Sequence, residues 1–294
     1  MTNYGHADFV PLIWHVSDEL STSETQARSD YYGVTGIPDT YFDGTDDIIG
    51  GWPTVYDDME QIVLSHLQDD PYVAIDLSGS SINETGGTVN AHLTVEQAIP
   101  WGDVKVFFVV YEDSVEGQYM FTVRDLLPLE PLSISQVGQT QDITTTFTID
   151  PGWPMGTNPQ NVGVAVFLQS VGTQVVLNAC TLSKVDAELS PETATVPLGG
   201  TLDATVDLTN ITPWPQSFEA WLDVILPNGN EWSGNPYLGP VSLNLAGGQT
   251  ISRDMAIPIP GGIPTGNYRL RLGVGDQARL DHWEYDYMDV TVTP

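Results

Sequence analysis

Chemistry at neutral pH needs a nucleophile, a base or a set of metal ligands in a defined spacing, and this chain offers few such groups. Its one cysteine, Cys180, closes the apolar run VVLNAC, the setting of a buried small hydrophobe. No CxxC, intrachain disulfide or cysteine-based zinc site follows from a single thiol. The five histidines, at positions 6, 15, 66, 92 and 282, are too scattered to read as a metal cluster. Acids are abundant. The turn Asp43, Asp46, Asp47, with Asp57 and Asp58 further on, is a candidate calcium site through oxygen ligands. It lacks the D-x-[DN]-x-[DN]-G spacing of an EF-hand, and a solvated turn followed by acids in a first helical turn accounts for it. Asp281, His282, Glu284 and Asp286 form a second acidic strip, which strand alternation with Trp283, Tyr285 and Tyr287 explains. No carboxylate pair stands out for glycoside hydrolysis. Asn83-Glu84-Thr85 and Asn210-Ile211-Thr212 fit the glycosylation sequon. Trp214, Trp232 and Tyr237 lie in loop-like segments, where aromatics contact a sugar or a protein or pack the rim of a sandwich. The expectation is no catalytic residue, no cofactor and no metal, with calcium at the acidic turn as the weak exception.

The remaining motif is a loop. In residues 31–44, YYGVTGIPDTYFDG, a helix ends and a turn through Gly36, Ile37 and Pro38 leads into a short strand closed by Asp43-Gly44. A proline that opens a strand cannot donate to the ladder, so it sits at an edge or in a special geometry, of which a cis X-Pro turn is one. Upstream, FVPLIWH at residues 9–15 is almost continuously apolar and predicts a central strand covered on both faces. Ser21 with Glu24, or Ser23 with Gln26, has capping-box spacing and starts a helix that Gly33 ends. Residues 39–50 predict a strand, the acidic turn and a second strand. Pro53 opens a last helix with Val55, Met59, Ile62, Val63 and Leu67 on one face.

From residue 71 the texture changes to short strands, expected near 72–77, 88–95, 104–111, 119–125, 143–149, 161–169 and 173–178, the pattern of a β-sandwich. VKVFFVVYED is apolar on both faces and should be central. A proline-containing connector near residue 186 begins a third unit. There Leu202, Ala204, Val206 and Leu208 alternate strictly with polar neighbours, as do Phe218 to Leu226 and Tyr268 to Val274, an immunoglobulin-like pattern with turns at Pro227-Asn228-Gly229 and Gly247-Gly248.

The loop around Pro38, flanked by FVPLIWH and the following helix, resembles the cis-proline loop of the thioredoxin-like fold. The half of that domain that would carry the redox cysteines is not in this sequence. Together with VVYED and FTVRDLLP, residues 8–182 resemble bacterial secreted proteins of the Omp28-related family. VPLGGTL, LPNG, LAGGQT and GNYRLRLG resemble a C-terminal accessory module of secreted bacterial proteins. The resemblance implies a multidomain, mainly β chain: a partial thioredoxin-like α/β unit at residues 1–70, a β-sandwich at 71–185 and an immunoglobulin-like β-sandwich at 186–294. It also implies that Gly36, Ile37 and Pro38 belong to a peptide-binding groove, because in thioredoxin-like proteins the backbone of this loop pairs with an extended peptide.

The 294 residues, 41% of them hydrophobic, suffice for two or three cored domains. With 39 acidic against 8 basic side chains, a net charge of −31, the chain excludes nucleic-acid binding, which needs clustered Lys and Arg. No run reaches the ~20 apolar residues of a membrane span. No signal peptide precedes Thr2, so the expectation is a cytosolic protein or one whose amino terminus is lost, and the absent thioredoxin half favours the latter. A remnant of about 70 residues buries too little alone. A separate polypeptide, a second copy of the chain, the following domain or further native residues must cover it. The function expected is that of a non-enzymatic structural or adhesive protein, extracellular or at the cell surface, with a protein partner or a homo-oligomer or filament completing the first unit. Two alternatives stand beside it: the C-terminal part of a secreted thiol-disulfide oxidoreductase with its CxxC upstream of Met1, and a peptide-binding module using the Pro38 loop.

Overall fold

The computed structural model describes residues 9–276 and 281–294, with the backbone alone at 281 and 282. The chain divides into two units, Phe9–Leu182 and Ser183–Pro294, and is mainly β, with two α-helices among the described residues. The predicted multidomain, mainly β class is what forms.

In the first unit the order is α1 (Ser23–Tyr32), β1 (Asp39–Phe42), β2 (Asp46–Ile49), α2 (Val55–His66), β3 (Val73–Asn83), β4 (Gly86–Val95), β5 (Val104–Glu112), β6 (Thr122–Leu126), β7 (Glu130–Pro131), β8 (Thr140–Thr148), β9 (Val162–Ser170) and β10 (Val176–Thr181). Strands β3-β4-β8 make one antiparallel sheet and β10-β9-β5-β6 the other, with β7 paired to β5. The alternating row Val89, Ala91, Leu93 and Val95 of β4 faces Val106, Phe108 and Val110 of β5 and Val164, Val166 and Leu168 of β9 across the core. Strands β5 and β9 carry a second apolar row on their outer face: Phe107, Val109, Tyr111, Ala165 and Phe167, all buried. Such a row requires a cover, since exposed apolar area costs roughly 25 cal/mol per Å². Val10, Leu12 and Trp14 supply part of it.

Residues 9–15 are therefore not the central strand that their composition predicts. Ile13 alone makes a β-bridge, parallel, to Thr122 of β6, through Ile13 N–H to Phe121 O at 2.9 Å and Val123 N–H to Ile13 O at 3.0 Å. Pro11 has no donor to offer a ladder, and alternation sends Val10, Leu12 and Trp14 inward while Ile13 is exposed. Strands β1 and β2 form a separate two-stranded sheet, from Asp39↔Ile49 to Phe42↔Asp46. Of the expected order of strand, helix, strand, strand, helix the last four elements form, and they do not join a shared thioredoxin-like sheet. Of the candidate covers, the following sandwich packs against part of residues 9–70, through Val10, Leu12, Trp14 and Arg28. Residues 9–70 and 71–182 accordingly form one compact unit, and the division between units falls at Leu182/Ser183.

Helix α1 is capped one residue along from the predicted box. Thr22 Oγ1 accepts from Thr25 N–H at 3.2 Å and Thr25 Oγ1 accepts from Thr22 N–H at 2.9 Å, whereas Ser21 Oγ accepts from Asp18 N–H. Gly33, at φ +71°, closes the helix in the left-handed conformation that only glycine enters without strain. Helix α2 starts at Val55, two residues after Pro53, with Thr54 making no side-chain cap, and of its predicted apolar face only Val63 is fully buried.

The second unit contains β11 (Val185–Ser190), β12 (Thr193–Pro197), β13 (Thr201–Asn210), β14 (Gln216–Ile225), β15 (Leu238–Leu245), β16 (Thr250–Pro258), β17 (Gly266–Asp276) and β18 (Asp281–Thr293). Its sheets are β11-β13-β16 and β12-β18-β17-β14-β15, with β12 parallel to β18. Leu202, Ala204, Val206 and Leu208 all point into the core, opposite Tyr268, Leu270, Leu272 and Val274. Strand β14 departs from alternation: Trp221 is buried as well as Leu222, next to a register shift against β15 between Ala220 and Leu222. No helix among the described residues is long and apolar enough to cross a membrane.

Candidate functional site

The loop before β1 stands in the open. Thr35, Gly36, Ile37 and Pro38 are all exposed, Ile37 by 67%, and the Ile37–Pro38 peptide is cis. The Pro38 carbonyl accepts from Gly50 N–H at 2.7 Å, which fixes the loop to the end of β2. Ile49 and Trp52 are exposed beside that contact. Immediately after the loop both carboxylate oxygens of Asp39 are covered. Burial, then the charge of Asp47, push this carboxyl up, and the Thr40 N–H offsets part of the shift.

The acidic turn is occupied from within. His66, in the last turn of α2, has Nδ1 at 2.7 Å from Asp43 Oδ2 and Nε2 at 3.0 Å from Asp46 Oδ2. Asp47 points elsewhere on β2, opposite Tyr41. Burial pulls the imidazole down, but the hydrogen bonds and charges of Asp43 and Asp46 outweigh it and hold His66 above its ordinary value. Two carboxylates on one imidazole clamp the end of α2 to the β1–β2 turn. Among the described residues no three His, Cys, Asp or Glu side chains gather as metal ligands. Asp58 accepts from Trp52 Nε1 at 2.9 Å, and Asp286 accepts from Leu189 N–H at 2.5 Å. The side chains of Asp281 and His282, also in the predicted strip, lie outside the described residues.

The charge that ties the N-terminal elements to the sandwich is Arg28, 8% exposed. One guanidinium nitrogen donates to Tyr32 Oη and to Gln169 Oε1, each at 2.9 Å. The group lies 4.8 to 5.5 Å from the ring centres of Trp14, Tyr31, Tyr32, Phe107 and Phe167, the geometry of cation–π attraction. Gln169 completes the joint by donating to Tyr32 Oη at 2.7 Å and to Gln174 O at 2.6 Å. A buried charge pair, Arg124 with Glu112 at 2.7 Å, holds the loop before β9: Arg124 donates to Pro154 O and Gly156 O, and Glu112 accepts from Asn158 N–H. Sequence reading passed over Arg28 and Arg124. The available signal was their scarcity, two of only eight basic residues, each beside aromatic or apolar neighbours.

Of the other candidates, Cys180 sits on β10 opposite Val166, its thiol 3.5 Å from Thr181 O. His15 has Nδ1 at 2.8 Å from Asp18, the orientation of a general base, but its Nε2 is turned inward, shut off from solvent and unpartnered among the described residues. The ring lies edge-on to Tyr119. Asn83 is exposed at the β3–β4 turn. Asn210 is fully buried and donates to the carbonyls of Trp214, Leu245 and Ala246, so its sequon serves the fold. Trp214 is half-buried, and Trp232 meets Tyr237 edge-to-face at 5.9 Å.

No protein-family model matches the chain, and no curated protein matches it in sequence; the resemblance to the Omp28-related family is not matched by a model. Among solved structures, HBP35 of Porphyromonas gingivalis is similar at 13% identity and a TM-score of 0.44, over 91% of this chain and 79% of that one. Red sea bream transglutaminase matches at 12% and 0.31, over 83% of this chain and 34% of its own. The CARDB domain of the PF1109 protein of Pyrococcus furiosus, in complex with di-metal ions, matches at 14% and 0.26, over 38% and 89%.

Proposed function

We propose that this chain is a non-enzymatic structural or adhesive module that works outside the cell or at its surface. The observation that carries the reading is where the reactive side chains are spent. His66 clamps α2 to the β1–β2 turn, Arg28 holds α1 on β9, and Arg124 with Glu112 pins a loop. Each is used to join elements, as in a scaffold. The acidic surface and the two β-rich units suit a soluble spacer, and the extracellular setting follows the sequence resemblance of residues 8–182. Val10, Leu12 and Trp14 pack on the outer rows of β5 and β9, which ties the first elements to the sandwich. The test is turnover. Purified protein is expected to leave the rate of insulin disulfide reduction by dithiothreitol unchanged, before and after alkylation of Cys180. A rate enhancement that alkylation abolishes would overturn the reading.

A second reading rests on the exposure of Ile37 beside Pro38, with Ile49 and Trp52 nearby: the loop binds an extended apolar peptide. Retention of members of a random ten-residue library by the wild type, and their loss in Ile37→Asp, supports it. Equal retention by both proteins removes it.

A further inference from the structure

The second unit contains an apolar recess of about 270 Å³ at one end of its sandwich. Leu202 of β13 and Ile257 of β16 form one wall, and Val224 of β14 with Val290 and Val292 of β18 form the other. The valines are short. Where longer side chains would meet across the core, they leave a gap. Trp232 stands at the mouth, 39% exposed, whereas Leu202, Ile257, Val290 and Val292 are each no more than 3% exposed. Proline and isoleucine side chains of the segment after β16, among them Ile259 and Ile263, line the same recess.

No charged residue lines the recess. Its two hydroxyl groups are already committed, Tyr237 Oη donating to Pro258 O and Tyr268 Oη to Pro264 O, both at 2.8 Å. Water gains little in such a place, since a buried water needs two to four polar partners. An engineered apolar cavity of about 150 Å³ holds one benzene, and this recess is larger. We infer that the recess is a binding site for one small uncharged apolar molecule, of the size of two fused rings or an alkyl chain of similar volume. An anionic ligand is disfavoured twice, by the absence of a cation in the lining and by the net charge of −31.

The test titrates the full chain with N-phenyl-1-naphthylamine, an uncharged fluorescent probe, and then competes it with 1-decanol or with decanoate. The expected result is saturable 1:1 binding, displaced at least tenfold better by decanol than by decanoate, and a melting temperature that rises with decanol. Val224→Phe, which fills the recess, is expected to weaken probe binding at least tenfold. If that variant loses its near-ultraviolet circular dichroism, Leu226→Phe at the same wall is read in its place. Probe binding that is unsaturable, or unchanged in the folded filling variant, overturns the inference. So does decanoate competing as well as decanol.

Discussion

Arg28 on α1 donates to Gln169 on β9 across 141 residues of sequence, at 2.9 Å and with both side chains buried. A guanidinium is costly to bury. Here the cost is offset by two hydrogen bonds and five aromatic faces, on elements that the chain must bring together to cover the outer rows of β5 and β9. The first prediction follows. Arg28→Met keeps apolar bulk but strips Gln169 Oε1 of its donor and Tyr32 Oη of one of its two, and is expected to cost roughly 3 kcal/mol, about 1.5 for each bond to a charged group. Arg28→Lys should recover little, because an ammonium lacks the flat, delocalised and weakly hydrated group that stacks among the five rings. Urea denaturation measures the loss. Adding Gln169→Leu to Arg28→Met should cost less than the two single losses added together, since the orphaned Oε1 is then gone even as Tyr32 Oη and Gln174 O lose their amide donor. A double variant as unstable as the sum of its singles would mean that the two residues are not coupled.

The same joint constrains the β1–β2 turn. Gly44 has φ +78°, and a Cβ there would run into the carbonyl of Gln174, the residue whose oxygen Gln169 holds. Gly44→Ala therefore carries both a backbone strain of about 1 kcal/mol and a clash with main chain that cannot swing aside. It is expected to lower the urea midpoint of the first unit by more than Gly33→Ala. Gly33 has a similar φ but open space around it. Equal losses would show that only the dihedral matters.

The rows that face a core were legible in the sequence. VKVFFVVY and VGVAVF are apolar without alternation, and β5 and β9 are indeed covered on both faces; Leu202 to Leu208 alternate, and one face of β13 is buried. What the sequence does not display is which partner covers a row. FVPLIWH has the composition of a central strand, yet Pro11 and its alternation make it a cover. The helix cap slipped by one residue because Ser21, Thr22 and Ser23 are all competent and Thr25 answers Thr22. The joint and the clamp were illegible for one reason: Arg28 meets Gln169, and Asp43 meets His66, only after distant elements dock.

His66 gives the last prediction, a pH dependence whose sign is set by its raised folded value. Relative to an unfolded imidazole near 6.5, the folded state binds the proton more tightly, so the clamp's contribution is complete below the unfolded value and is lost as pH rises through the folded one. The stability of the first unit is expected to fall between pH 6 and 9 by no more than about 1 kcal/mol, because Asp43 and Asp46 are more than half exposed and such pairs are screened by solvent. His66→Gln keeps a polar side chain between the two carboxylates but cannot be charged. Its urea midpoint should match the wild type at pH 9, fall below it at pH 6, and lack the wild-type decline attributable to this residue. High salt should narrow the difference at pH 6. A variant that tracks the wild type across the whole range would mean that the two carboxylates do not hold the proton on His66.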